Sequence, residues 1–266
     1  MSSSFLYHVN HAPFWRGEID VWGHRMRGAS LDRLLYLGLH RSGWMGKNEG
    51  QLLRTLVRPG MRTVDVGANV GLYSLFLAHL AGKEGSVLSF EPEPNLFATL
   101  VANCARNAAH NVTPFQRALG RENRRTSFQR SAFNSGDNRT GPRAGTHEPL
   151  EVELVRFDDL QPRSALDFIK IDVQGHELDV LCGMEDAIAA SPAVGVLFEF
   201  CPSAIRHAGG SPEELLGFFR ERDFLLYQTV GGKLELVHDS AHLIASVSGN
   251  RYLNLFASRS AVELDD

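Results

Sequence analysis

The chain has little cysteine, no long apolar run and no strong charge of one sign. Its three cysteines, Cys104, Cys182 and Cys201, stand far apart with no Cys-x-x-Cys spacing, which argues against both a disulfide framework and a zinc site. No apolar stretch approaches the roughly 20 residues that a membrane helix needs. The start, "MSSSFLYHVNHAPFWRGE", lacks the basic-then-apolar pattern of a leader, so the expectation is an unanchored cytoplasmic protein with no membrane partner. A formal net charge of −4 gives no global reason to expect nucleic acid or anionic lipid as a partner. Hydrophobic content of 43% and charged content of 22% are ordinary for a folded protein, and 266 residues suffice for one large domain with a buried core.

What is present is unevenly placed. Trp15, Trp22 and Trp44 all fall in the first 44 residues, with Phe5, Tyr7, Phe14, Tyr36 and four of the eleven histidines. From about residue 60 the pattern changes to short β-rich runs alternating with helical ones, the signature of βαβ units and a mainly parallel sheet. Strands are predicted at 62–66, 86–90, 112–116, 167–172 and 194–199, with "FLLYQTV", "KLELV" and "RYLNLFAS" as further strands and a hairpin through Gly231 and Gly232. Phe97, Leu100, Val101 and Cys104 predict one apolar helix stripe. Ser211, Pro212 and Glu214 predict a helix start. Residues 120–148 interrupt the alternation as an insertion, and the stretch from Arg117 to Arg143 carries seven arginines against Glu122 and Asp137. Its plainest reading is a solvated loop.

"TVDVGANVGLYS", residues 63–74, passes from strand through a glycine-bracketed turn into a helix. Such a turn offers free backbone N–H groups, a positive dipole end and close approach for a ligand. Glu91, 24 residues beyond Gly67, follows the next strand, where an acid accepts from the two ribose hydroxyls of an adenosine-type ligand. The turn reads G-x-x-x-G and lacks the middle glycine of the dinucleotide pattern. Together with Asp65, this disfavours a pyrophosphate and an NAD-dependent dehydrogenase, and favours a cationic ligand such as S-adenosylmethionine.

"VDVGANVGLYS", "SFEPEPNLFATLVANCARN" and "DFIKIDVQGHELDVLCG" resemble, in order and spacing, the motifs of the FkbM-type S-adenosylmethionine-dependent methyltransferases. This is a branch of the Rossmann-like class I methyltransferases. The resemblance covers about residues 48–200 and implies an α/β fold with a seven-stranded, mostly parallel sheet whose last strand is antiparallel. The methyltransferase domain is expected over 48–266, and the aromatic-rich residues 1–47, which the motifs leave unassigned, are expected to form a cap. The resemblance further implies S-adenosylmethionine as cofactor and O-methylation of a hydroxyl on a sugar or secondary metabolite. Carried over residue by residue, it places Asp65, Gly67, Asn69, Gly71, Tyr73 and Ser74 around the methionine part, Glu91 on the ribose, and Ala118 and Leu119 beside the adenine. Asp172 falls at the reaction centre. The family commonly has an acid where this chain has Gln174, which puts any role of that carboxylate in doubt.

An alcohol acceptor must lose a proton, and Asp172, His176 and Glu199 are the candidate bases at strand ends. The same three suit a divalent cation, which no spacing favours. Lys170, between Ile169 and Ile171, reads as a buried ion-pair partner. The acceptor pocket is expected from the variable parts, with Trp15, Trp44, Asn134, Asp137, Asn138 and Arg139 as substrate contacts. The alternative acceptor is a nucleotide, nucleotide-sugar or RNA end held by the arginines of 117–143. A homo-oligomer is left open.

Overall fold

A computed structural model describes residues 18–28, 47–131, 139–140, 147–161, 165–249 and 251–262. In chain order, the hairpin β1 (Ile19–Val21) and β2 (His24–Met26) precedes α1 (Lys47–Leu56), β3 (Arg62–Val66), α2 (Leu72–Ala81), β4 (Ser86–Phe90), α3 (Pro94–Arg106) and β5 (Val112–Phe115). Then come β6 (Ala118–Leu119), β7 (Arg124–Ser131), β8 (Arg139–Thr140), β9 (His147–Val155), α4 (Phe157–Leu160), β10 (Phe168–Ile171), α5 (Glu177–Cys182) and α6 (Glu185–Ala189). The last part is β11 (Gly195–Phe200), α7 (Pro202–His207), α8 (Pro212–Arg220), β12 (Leu225–Val230), β13 (Lys233–Leu236), α9 (Ser240–Ser246) and β14 (Leu253–Ser258).

Eight strands form the main sheet in the order β13-β12-β14-β11-β10-β3-β4-β5. The pairs from β11 to β5 are parallel, whereas β14 runs antiparallel to both β11 and β12. This is the Rossmann-like methyltransferase arrangement of seven strands with the last reversed, extended by β13 as an eighth, edge strand. Gly231 and Gly232, at φ +58° and +86°, make the two-residue turn into β13, as the sequence predicts. Pro114 fits because β5 is the other edge, where no ladder partner needs its missing N–H.

Alternation along the strands separates two cores. Val66, Ile169, Ile171 and Phe198 face α5, α6 and α8, while Phe168, Leu197 and Phe256 face α1, α2 and α3. Of the predicted α3 stripe, Leu100 and Cys104 are buried and Phe97 packs against the same core, but Val101 does not join them. The buried face of α3 is Leu96, Leu100, Asn103 and Cys104, and Val101 is 41% exposed. The reason is Asn103, fully buried because its side chain docks the amino-terminal hairpin. It accepts from Arg27 N at 2.9 Å and donates to the carbonyls of Arg27 at 2.9 Å and Val70 at 2.8 Å. Asn107 repeats the reciprocal pairing with Arg25. The hairpin also buries Val21 and Met26, each contributing about 1.5–3 kcal/mol, and lays Trp22 against Phe76 at 4.5 Å between ring centroids.

The interrupting segment is not a loop over its described residues. β7 and β9 form a long antiparallel pair in a second sheet of order β6-β9-β7-β8. The alternation of Val152 and Leu154 with acids packs this arm onto Ala118. Among the described residues no helix is long and apolar enough to cross a membrane.

Candidate functional site

Strand order reverses between β3 and β10, and in open α/β sheets the crevice at the carboxyl ends beside such a reversal is the ligand site. The β3–α2 turn lies there. Gly67 has φ +82°, and a Cβ on it would stand 1.9 Å from the Asp172 carbonyl oxygen, so the ends of β3 and β10 meet as closely as only glycine permits. Gly71, at φ +93°, turns the chain into α2. The N–H groups expected to be free are engaged. Gly67 and Ala68 donate to Phe90 O at 3.0 Å, Asn69 to Glu91 Oε2 at 2.9 Å, Val70 to Asn69 Oδ1 at 2.8 Å and Gly71 to Ala68 O at 2.9 Å. A pyrophosphate therefore finds no donors among these five groups, which reinforces the argument from the missing middle glycine.

Glu91 ends β4 and is held from both sides. Oε2 takes the Asn69 N–H and Oε1 takes the Glu93 N–H, each at 2.9 Å. Burial, at 4% exposure, outweighs these bonds and pushes its pKa to about 8. Each carboxylate oxygen has two acceptor positions, so one per oxygen is left, the donor-acceptor chemistry that fits a ribose diol. Ala118 and Leu119 lie just beyond β5 and are buried, Leu119 in the same core as Phe90.

Alternation and register line up the remaining polar groups. Asp65 and Lys170 are directly paired on β3 and β10, and Glu199 faces Asn254 across β11 and β14. Asp65 is fully buried. Its Oδ2 accepts from Ser74 Oγ at 2.6 Å, and its Oδ1 has no hydrogen-bond partner among the described residues. Asp65 and Ser74 thus brace the turn from beneath. Lys170 is the ion-pair partner anticipated, with Nζ 3.1 Å from Asp172 Oδ2 and 4.2 Å from the Tyr73 ring centroid. Burial alone would lower its pKa, but Asp172 and Asp65 outweigh that and raise it. Glu49 of α1 accepts from Tyr73 Oη and from Asn254 Nδ2, tying α1, α2 and β14 together at this edge.

Asp172 and Glu199 are brought together, whereas the His176 ring is placed against Asp179. Gln174 Nε2 lies 3.1 Å from Asp172 Oδ1 and 3.1 Å from Glu199 Oε1. Burial, then the neighbouring Asp172 and Glu177, push Glu199 to about 8. Glu177, accepting from Gly175 N at 3.0 Å, is pushed by burial to about 7. The His176 ring lies 3.3 Å from Asp179, which also takes Arg121. Among the described residues no group of three or more His, Cys, Asp or Glu is placed to hold a metal ion. Trp15, Trp44, Asn134, Asp137 and Asn138 lie outside the described residues, and Arg139 is described only as backbone in β8. Arg117, Arg121 and Arg124 of the basic segment are ion-paired with Glu153, Asp179 and Glu122.

Sequence reasoning missed Glu49, Tyr252 and Asn254, which arrive from distant elements with no local signal. Tyr252 is 59% exposed at the rim, and burial followed by the charges of Glu199, Glu49 and Asp172 raises its pKa.

The methyltransferase FkbM domain matches residues 65–226 of the chain. The hexuronic acid methyltransferase AglP of Haloferax volcanii is 28% identical over 160 residues, covering 59% of this chain and 60% of that protein. The 31-O-demethyl-FK506 methyltransferase FkbM of Streptomyces tacrolimicus is 32% identical over 163 residues, covering 49% and 62%. The chain thus spans about three-fifths of the length of these relatives. Among solved structures, an S-adenosylmethionine-dependent methyltransferase from Aquifex aeolicus is similar with a TM-score of 0.47 at 16% identity, covering 85% of this chain and 97% of that one.

Proposed function

The chain belongs to the methyltransferase FkbM domain family, and from that premise we propose that it transfers a methyl group from S-adenosylmethionine to a hydroxyl oxygen of a sugar or other small hydroxylated metabolite. The observation that carries this reading is the order of groups along one sheet edge. Glu91, the β3 turn, Asp172 and Glu199 stand on four successive strands. With strands about 4.8 Å apart, Glu91 and Glu199 are separated by roughly 14 Å. That span suits a ligand with its ribose at Glu91 and its reacting end toward Asp172.

The donor, when bound, supplies an electrophilic methyl on a positively charged sulfur. Glu91 binds the ribose hydroxyls, and the fully bonded turn keeps water from the backbone beneath. Glu199 in its ionised form accepts the acceptor's proton, because a carboxyl titrating at about 8 is a stronger base than an ordinary one, so turnover should rise as pH climbs through 8. Asp172, held by Lys170 on one oxygen and Gln174 on the other, orients the acceptor hydroxyl. In this reading residues 1–47 form a cap, and Trp15, Trp44, Asn134, Asp137, Asn138 and Arg139 face the acceptor. The hexuronic acid and demethyl-FK506 named for the two relatives agree with a hydroxylated acceptor.

The test is release of S-adenosylhomocysteine over a panel of glycosides, uronic acids, hydroxylated metabolites and their phosphorylated forms. Turnover is expected with a non-phosphorylated hydroxylated acceptor. Asp172→Asn should lower kcat by roughly 10²-fold or more while donor affinity stays within about threefold. Failure of the purified protein to bind S-adenosylmethionine in calorimetry would overturn the proposal.

A further inference from the structure

Gln174 sits in a conformation that its residue type does not favour. Its φ is +53°, in the left-handed region, immediately before Gly175 at φ +99°. Glycine, and to a lesser degree asparagine and aspartate, occupy that region routinely, whereas a longer side chain there is strained. Such strain persists only where the surroundings impose it, and an observed outlier of this kind points to function.

The side chain shows what the strain accomplishes. An amide nitrogen carries two hydrogens, and both are used on acids, Asp172 Oδ1 at 3.1 Å and Glu199 Oε1 at 3.1 Å. Asp172 already accepts from Lys170 on its other oxygen, so the amide turns its nitrogen, not its oxygen, toward Asp172. Lys170 reaches the other oxygen of Asp172, and among the described residues the side-chain bond to Glu199 comes from Gln174. Glu199 is otherwise surrounded by Asp172 and Lys170 from β10 and the turn after it, by Glu177 from α5, and by Tyr252 next to β14. Glu49 bonds Asn254, which faces Glu199 across the ladder. Two adjacent acids repel, and a neutral two-hydrogen donor is the group that joins them without adding charge.

We propose that Gln174 is a positioning residue whose single amide nitrogen holds Asp172 and Glu199 at a set separation, and that the chain tolerates a left-handed backbone there to deliver it. The inference rests on the reading of this edge as the reaction centre. It is tested in the protein without donor or acceptor, so its failure is distinguishable from an absence of methyl transfer. The measurement is a pH titration of the Glu199 side-chain carboxyl by carbon-13 NMR, assigned with Glu199→Gln, in wild type, Gln174→Met and Gln174→Gly. Methionine keeps the length and the strain and removes the donor. Glycine removes both.

Because the lost bond favours the ionised form, the Glu199 midpoint should rise by roughly one pH unit in both variants. Gln174→Gly should melt above Gln174→Met, since both lose the two bonds and only glycine relieves the left-handed backbone. An unchanged Glu199 midpoint in either folded variant overturns the proposal, and if methionine fails to fold the glycine variant alone decides. A glycine variant melting below the methionine variant would also overturn it, by showing that the backbone there is not strained and the side chain is kept for its bulk in the fold.

Discussion

Replacing Glu91 by glutamine separates the role the structure gives this residue, brace for the turn, from the one we propose for it, acceptor for a ligand. In the folded protein its pKa is raised from 4.5 to about 8 by burial. A carboxyl with a raised folded-state pKa contributes stability that is fully present below its unfolded pKa and lost as pH climbs through the folded one. At about 1.4 kcal/mol per unit, the loss between pH 4.5 and 8 amounts to roughly 5 kcal/mol. Glutamine does not titrate, but its amide accepts only one of the two N–H groups, from Asn69 or Glu93, that Glu91 now takes. That costs about 1–3 kcal/mol at any pH. Urea denaturation from pH 5 to 9 should therefore show wild type more stable at pH 5 and Glu91→Gln more stable at pH 9, with the curves crossing between. Glu177 and Glu199 titrate in the same window in both proteins, so the difference isolates Glu91. Two ribose hydroxyls donating to Glu91 favour its ionised form. The wild-type affinity for S-adenosylhomocysteine, relative to the variant's, should then rise by roughly tenfold or more between pH 6 and 8. A stability difference independent of pH would refute the burial argument, and a pH-independent affinity ratio would remove Glu91 from the ligand site.

Lys170→Met strands two acids on the inner face, Asp65 fully buried and Asp172 at the edge, and should cost about 3–5 kcal/mol at pH 8 in urea denaturation. The deficit should shrink at pH 5, since Asp65, whose pKa burial raises and Lys170 holds down, protonates more readily once that cation is gone. Asn103→Ala removes three backbone contacts and should cost about 2–4 kcal/mol, with hydrogen exchange accelerated at Arg25 and Arg27 more than in β10 or β11. Uniform acceleration across the sheet would show that the hairpin is not docked through this residue.

The parallel half of the sheet is legible because its strands are buried on both faces and read as short β-branched runs closed by turn signals. β3 and β4 appear where 62–66 and 86–90 predict them. Position in the ladder is a different matter. Nothing near Asn254 announces that β14 inserts between β11 and β12, because that choice depends on two antiparallel ladders spanning much of the carboxyl-terminal chain. On α3, Asn103 is buried where Val101 is expected to be, for a related reason. Periodicity counts apolar residues, and a buried asparagine that serves as a docking clamp looks like a polar interruption. In the β7–β9 arm, arginine and serine on one face hide an alternation that Val152 and Leu154 carry on the other.

The acids of the site are legible for a geometric reason: in a parallel sheet every strand delivers its following residue to the same edge, so Glu91 and Asp172 can be placed without knowing the register. Their chemical state cannot be read so directly. Whether Glu199 is a strong or a weak base depends on Gln174 turning left-handed, on Lys170 sharing a row with Asp65, and on Glu177 being buried beneath. Each depends on a one-residue step of register or a single backbone dihedral. A slip by one in β10 would send Lys170 to the opposite core and leave Asp172 without its cation, with the motif unchanged to the eye. The motif therefore locates the candidate site, while the pairing of β10 with β3 and β11 sets which charged groups stand together there.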